Sequence, residues 1–147
     1  MKRYILAVVS APGNIENLDA IKSNMQRLAD PRITEGDVAA QIIESQAAVT
    51  WLSYGVHGNE ISSTAAAMLT AYHLLASQDD ARVADIMANT VVVIDPMQNP
   101  DGRDRFIHNF EIAEGLLPDS DRLAAEHNEP WPGGRTNHYQ FLSLIHI

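Results

Sequence analysis

The segment "TWLSYGVHGNEISSTAAAMLTAYHLL", residues 50–75, places a strand-like run, a polar turn and a helix-like run in direct succession. Residues 50–56 are rich in β-branched and aromatic side chains, which is typical of a strand. Residues 61–76 are dominated by alanine, leucine and methionine, which favour a helix. That run is nearly apolar throughout, so we expect the helix to be packed on more than one side. The polar turn between them, residues 57–60, reads "HGNE".

On both sides of this segment, strand-like and helix-like runs alternate along most of the chain. "RYILAVVS", residues 3–10, predicts a first strand. "TVVVIDP", residues 90–96, is a continuous β-branched run, as expected of a strand buried on both faces. Apolar residues at helical spacing predict one helix that begins after Asn14 as N-cap and ends near Asp30. Two further helices are predicted at residues 35–48 and 81–88. This alternation predicts an α/β fold with a mostly parallel sheet.

The region after residue 97 is rich in turn-forming residues. "MQNPDGRDRF" and "EPWPGG" predict little regular structure beyond a short helix around residues 119–126. In "NPDG", residues 99–102, proline presets φ and Asp-Gly tolerates positive φ, so we expect a turn.

Composition narrows the class of protein. The 147 residues fit one domain, and 46% hydrophobic with 20% charged residues is ordinary globular usage. A net charge of −9 argues against nucleic acid or an anionic membrane as the main partner. The absence of cysteine excludes thiol catalysis and cysteine-based zinc sites. The apolar run at residues 4–9 is too short for a signal peptide, so we interpret it as a strand. Localisation is not predicted.

His57 and Glu60 are the candidate metal ligands. Imidazole nitrogen and carboxylate oxygen both bind Zn²⁺ well. In open α/β sheets ligands bind beyond the carboxyl ends of strands, where the turns after Val56 and Asp95 both fall. With His57 on the turn and Glu60 on the first helical turn, the side chains could converge, while Gly58 lets the backbone bend sharply. The spacing by itself favours a plainer interpretation, in which His57 is a surface loop residue and Glu60 a first-turn carboxylate that interacts favourably with the helix dipole.

Three blocks of sequence carry a family resemblance. "SYGVHGNEISSTAAAMLTAYHLL", "VVVIDPMQNPDGRDRF" and "PWPGGRTNHYQF" resemble the M14 zinc carboxypeptidases in order and spacing, over about residues 4–141. The resemblance implies a three-layer α/β/α fold with a mostly parallel or mixed central sheet. It implies one Zn²⁺ per domain with His57 and Glu60 among its ligands. The implied activity is hydrolysis of the C-terminal peptide bond by a zinc-activated water, on a peptide or small amide substrate.

The resemblance also suggests roles outside the "HGNE" turn. Arg135, after a glycine pair, is the candidate for the arginine that stabilises the oxyanion, against a plainer interpretation as an exposed loop residue. The "NPDG" segment would shape the wall of the cleft. For Arg103 and Arg105, pairing with a carboxylate and simple surface exposure remain equally open. His73, in the middle of an apolar helix, is interpreted as a packed or half-exposed residue rather than a ligand. No ligand spacing is found for the remaining histidines: His108, His127, His138 and His146. No substrate-binding residue is predicted.

The resemblance breaks after Phe141, where family members continue into an Asn-Arg pair that grips the substrate carboxylate. Here "LSLIHI", residues 142–147, follows instead. We therefore expect residues 1–141 to be the N-terminal portion of the catalytic domain and residues 142–147 to be a non-native tail. The third zinc ligand and the general-base glutamate are not found, so the chain alone is expected to be inactive. Two alternatives are a zinc amidohydrolase of the aspartoacylase or succinylglutamate desuccinylase kind and a non-catalytic binding domain.

Overall fold

The structure, a computed structural model, describes residues 4–128. Two compact units share the described chain. The first, here called the sheet unit, comprises Ile5–Tyr54 and Ser62–Pro96. The second, here called the loop unit, includes Gly55–Ile61 and residues 97–128. Each unit therefore combines segments that are separated in sequence.

The sheet unit is built on a three-stranded mixed sheet. Its strands are β1 (Ala7–Val9), β2 (Ala48–Ser53) and β3 (Thr90–Asp95), in the spatial order β1-β3-β2. β3 runs antiparallel to β1 and parallel to β2, and Val92 is paired with both Val9 and Thr50. The predicted α/β class with a mixed central sheet is confirmed, and β2 begins two residues earlier than its sequence pattern indicated.

β3 is buried on both faces, as its unbroken β-branched sequence predicted. Val92 and Ile94 point to one face and join the apolar core, together with residues from β1 and from two helices: Val9, Ala67, Leu74, Val83 and Met87. On the alternate positions, Val91 and Asp95 are also buried. Buried and exposed side chains therefore do not alternate along β3, because both faces of the strand are covered.

Five helices belong to the sheet unit. They are α1 (Pro12–Glu16), α2 (Leu18–Ala29), α3 (Gly36–Ser45), α4 (Ser62–Ala76) and α5 (Ala81–Asn89). The predicted helices at residues 35–48, 61–76 and 81–88 are confirmed. Asp80 caps α5, since its carboxylate accepts hydrogen bonds from the backbone N–H groups of Arg82 and Val83 at 2.8 and 3.2 Å. Among the described residues, no helix combines the length and apolarity needed to cross a membrane.

The predicted helix after Asn14 differs from the structure in how it begins. Asn14 does not cap a helix but lies inside α1, where its side-chain amide donates to Ser10 Oγ at 2.9 Å and to the Ala88 carbonyl at 3.0 Å. Asn17 separates α1 from α2. The N-cap prediction for Asn14 is wrong because α1 already begins at Pro12, and the Asn14 amide bonds to Ser10 and to the distant Ala88 carbonyl instead.

α4 packs on one side within the described structure. Ala67 and Leu74 are buried in the core. The other large apolar residues of this helix are more than half exposed: Met68, Leu69, Tyr72 and Leu75. The prediction that α4 packs on more than one side is therefore wrong for the residues that the structure describes.

The loop unit contains a helix where the sequence predicted irregular structure. α6 spans Pro100–Ala113, and the side chain of Asn99 caps it by accepting a hydrogen bond from Gly102 N–H at 2.8 Å. Pro100 suits the first helical position because its fixed φ is helical and its missing N–H would have no partner there. The predicted helix at residues 119–126 reduces to one 3₁₀ turn, Ala125–His127.

Two adjacent isoleucines on α3 provide a test of the core. Ile42 is 6% exposed and Ile43 is 66% exposed. We expect Ile42→Ala to lower the free energy of unfolding by about 2–4 kcal/mol, since it removes buried methyl groups and leaves a cavity. Ile43→Ala should change it by less than about 0.5 kcal/mol. Urea denaturation of the two variants measures the difference, and equal losses would contradict the assigned faces of α3.

Candidate metal centre

The "HGNE" turn brings two potential metal ligands together. The backbone N–H of Glu60 donates to the His57 carbonyl at 3.1 Å, which closes a four-residue turn. Across this turn, His57 Nδ1 lies 2.9 Å from Glu60 Oε1. The predicted placement of Glu60 on the first helical turn is wrong, because α4 begins only at Ser62. The donors converge because the turn is tight, and the helix is not required.

The environment of this pair suits a cation. The side chain of His57 is 19% exposed and that of Glu60 is 55% exposed, so the pair is open to solvent on the carboxylate side. A proton on Nδ1 makes the contact a hydrogen bond from imidazole to carboxylate. A metal ion can take the place of that proton, since both atoms would then present lone pairs to the same point.

Gly58 is required by a close approach to α6. A Cβ atom built on Gly58 would lie 2.1 Å from the carbonyl carbon of Gly102 and 2.2 Å from the backbone nitrogen of Arg103. No side chain fits at these distances. Gly58 does not have the positive φ seen at Gly55. A sharp bend was the predicted reason for a glycine at position 58. The structure shows instead that Gly58 is needed for close packing against the backbone of α6.

The "NPDG" segment contacts the same loop. The backbone N–H of Asn99 donates to the Gly55 carbonyl at 3.1 Å. Gly55 has a φ of 67° and faces Met97, whose Sδ would lie 2.7 Å from a Cβ at that position. Gly102 has no positive φ and lies in α6, so the turn predicted for "NPDG" is a helix start instead. The signal was present in the sequence, since Asn followed by Pro is a typical N-cap and first helical residue.

The other candidate residues occupy separate positions. On α4, His73 Nδ1 lies 3.3 Å from Oγ of Ser77, the residue after the helix, and His108 is exposed on α6. The guanidinium carbon of Arg103 lies 5.6 Å from the centre of the Phe106 ring. Arg135 lies outside the described residues. Within residues 4–128, no group of three or more histidine, aspartate or glutamate side chains is arranged to hold a metal ion.

These features define an α/β protein in which a turn with two potential metal ligands follows β2 in sequence. Compared with protein-family models, residues 32–140 match the family described as zinc carboxypeptidase, peptidase M14. Since the match covers well over half of the chain, the protein belongs to the zinc carboxypeptidase family. The matched segment includes the "HGNE" and "NPDG" segments and Arg135. Comparisons with curated proteins and with solved structures gave no match.

The close approach of Gly58 to α6 predicts a large effect of a single methyl group. Gly58→Ala should lower the free energy of unfolding by about 3 kcal/mol or displace the loop, because neither backbone atom that the Cβ meets can move independently. Gly13→Ala is the matched control, since nothing lies within 4 Å of a Cβ at that helical position. It should be neutral or stabilising by up to about 1 kcal/mol.

Denaturant unfolding and amide hydrogen exchange of Gly55–Ile61 measure both variants. A Gly58→Ala protein with the stability and the loop exchange of the parent would show that this backbone contact does not form.

Proposed function

We propose that this chain is part of the catalytic domain of a zinc-dependent metallocarboxypeptidase, in which His57 and Glu60 are two of the zinc ligands. The observation that carries the proposal is the 2.9 Å approach of His57 Nδ1 to Glu60 Oε1 in a member of the zinc carboxypeptidase family. Residues 1–141 are proposed to belong to that domain, which the match to residues 32–140 supports.

The two donors fit zinc in chemistry and in reach. Zinc takes imidazole nitrogen and carboxylate oxygen at bond lengths of about 2.0–2.2 Å, so two atoms 2.9 Å apart can bind one ion after a small separation. Glu60 brings a negative charge that compensates part of the charge of the ion, and the partly exposed position of its side chain leaves room for further ligands. Bound zinc would supply the Lewis acidity that activates a water molecule and polarises a carbonyl.

Arg135 is the proposed oxyanion-stabilising residue. A guanidinium can donate two parallel hydrogen bonds, and the negative charge that develops on the carbonyl oxygen during hydrolysis is well matched by such a donor. The supporting observation is that Arg135 lies within the segment matched to the family.

Catalytic zinc sites use three protein ligands, and the described residues supply two. Zinc affinity, rather than catalytic activity, is therefore the property that tests the proposed ligands on this chain. We expect His57→Ala and Glu60→Ala each to weaken Zn²⁺ binding by about tenfold or more. Each variant removes one of two protein–metal bonds. Competition with a chromophoric chelator, on protein without an affinity tag, measures the affinity.

Matched controls exclude a general effect of losing a histidine or an acid. His73→Ala and Glu111→Ala alter exposed residues of the same types on α4 and α6. Both should bind zinc as the parent chain does. Zinc affinity that is unchanged in both His57→Ala and Glu60→Ala would refute the assignment of the ligands.

The substrate class is tested by measuring peptide hydrolysis with a form of this protein that contains the complete set of zinc ligands. A carboxypeptidase should release the last residue of a peptide with a free C-terminal carboxylate and leave the same peptide untouched when its C-terminus is amidated. Mass spectrometry of the products distinguishes the two. Hydrolysis of small N-acyl amino acids in place of peptides would assign the protein to the amidohydrolases instead.

A further inference from the structure

The metal-binding turn is held on both sides of His57 by the start of α6. Before it in sequence, the Gly55 carbonyl accepts a hydrogen bond from the backbone N–H of Asn99 at 3.1 Å. After it, Gly58 packs against the backbone of Gly102 and Arg103 too closely for a Cβ atom. The position of the His57 side chain therefore depends on the conformation of the first turn of α6.

The side chain of Asn99 sets that conformation. Its Oδ1 accepts a hydrogen bond from Gly102 N–H at 2.8 Å, which satisfies one of the N–H groups left open at a helix start. The same side chain packs closely against Gly102, since a Cβ there would be 2.6 Å from Asn99 Nδ2. Asn99 thus fixes the residue whose carbonyl carbon touches Gly58.

We propose that Asn99 is a positioning residue for the metal site: its side chain holds the first turn of α6, and that turn holds His57 and Glu60 in the geometry that binds the ion. This inference rests on the proposed function of His57 and Glu60 as zinc ligands. Asn99 contributes no atom to the metal and acts through the backbone of Gly102 and Gly58.

The physical reason is preorganisation. Both described ligands come from one four-residue turn, so any freedom in that turn is lost when the ion binds, and the loss weakens binding. A cap that already restricts the turn lowers this cost. Residues that orient ligands without touching the metal commonly change affinity by about 10–100-fold when they are altered. Because Asn99 acts through two backbone contacts, we expect the lower end of that range.

The experiment measures Zn²⁺ affinity of the whole chain by chelator competition, with amide hydrogen exchange of Gly55–Ile61 recorded on the metal-free protein. Asn99→Ala should weaken binding about tenfold and speed exchange in this segment. Asn99→Ser keeps a capping oxygen without adding charge and should restore both values to within about twofold of the parent. If Asn99→Ala does not fold, Asn99→Gly replaces it, since glycine is a tolerated N-cap residue that lacks the side chain.

Asp80→Ala is the matched control. It removes the side-chain cap of α5 in the sheet unit and should leave zinc affinity unchanged while lowering the stability of the protein. If Asp80→Ala weakens zinc binding as much as Asn99→Ala does, the effect is general destabilisation and the inference is wrong. It is also wrong if the alanine and serine variants of Asn99 behave alike.

His57→Ala separates this inference from the proposed function. If His57→Ala loses zinc binding while Asn99→Ala and Asn99→Gly bind as the parent does, the ligand assignment stands and the positioning role fails. If His57→Ala binds zinc as the parent does, the proposed function fails and the positioning role fails with it.

Discussion

The described structure depends on the pairing of β3 with both of its neighbours. Thr90–Asp95 is buried on both faces, so its backbone N–H and C=O groups must be paired within the protein, and β1 and β2 provide the partners. Parallel pairing with β2 brings the carboxyl ends of β2 and β3 to one edge of the sheet. The Tyr54 N–H extends this ladder by donating to the Asp95 carbonyl at 2.9 Å. The "HGNE" turn and the "NPDG" segment begin within a few residues of these strand ends.

Backbone contacts contribute to the organisation of the candidate metal centre. Gly58 meets the first turn of α6 at a distance that excludes any side chain, and Gly55 accepts a main-chain hydrogen bond from Asn99. Such contacts leave little freedom, because neither partner can relieve a clash by changing a rotamer. The two candidate ligand atoms are consequently held in one small turn, 2.9 Å apart. If the turn binds zinc as proposed, its affinity depends on residues that do not touch the ion.

Different parts of the site were accessible to sequence reasoning to different degrees. His57 and Glu60 could be singled out because imidazole and carboxylate are side chains that zinc prefers, and because three ordered blocks resemble one family. The capping of α6 by Asn99 was not predicted, although Asn followed by Pro could have indicated the start of that helix. The start of α6 was interpreted as a turn because a helix cap and a turn use the same residue types. The reason for Gly58 was beyond local reasoning, because the atoms that exclude its Cβ are more than 40 residues away in sequence.

By itself, the sequence determined the α/β class, the three strands and most of the helices, and it offered His57 and Glu60 as candidate ligands. The strands and helices follow from local properties, β-branched runs and helical periodicity, whereas the candidate ligands follow from side-chain chemistry together with a family resemblance. Only the tertiary structure decided that β3 is central, that Asn14 bonds to distant carbonyls rather than capping a helix, and that α4 is packed on one side within the described residues. These features arise from contacts between segments far apart in the chain, which are selected by the burial of the whole core rather than by any local preference.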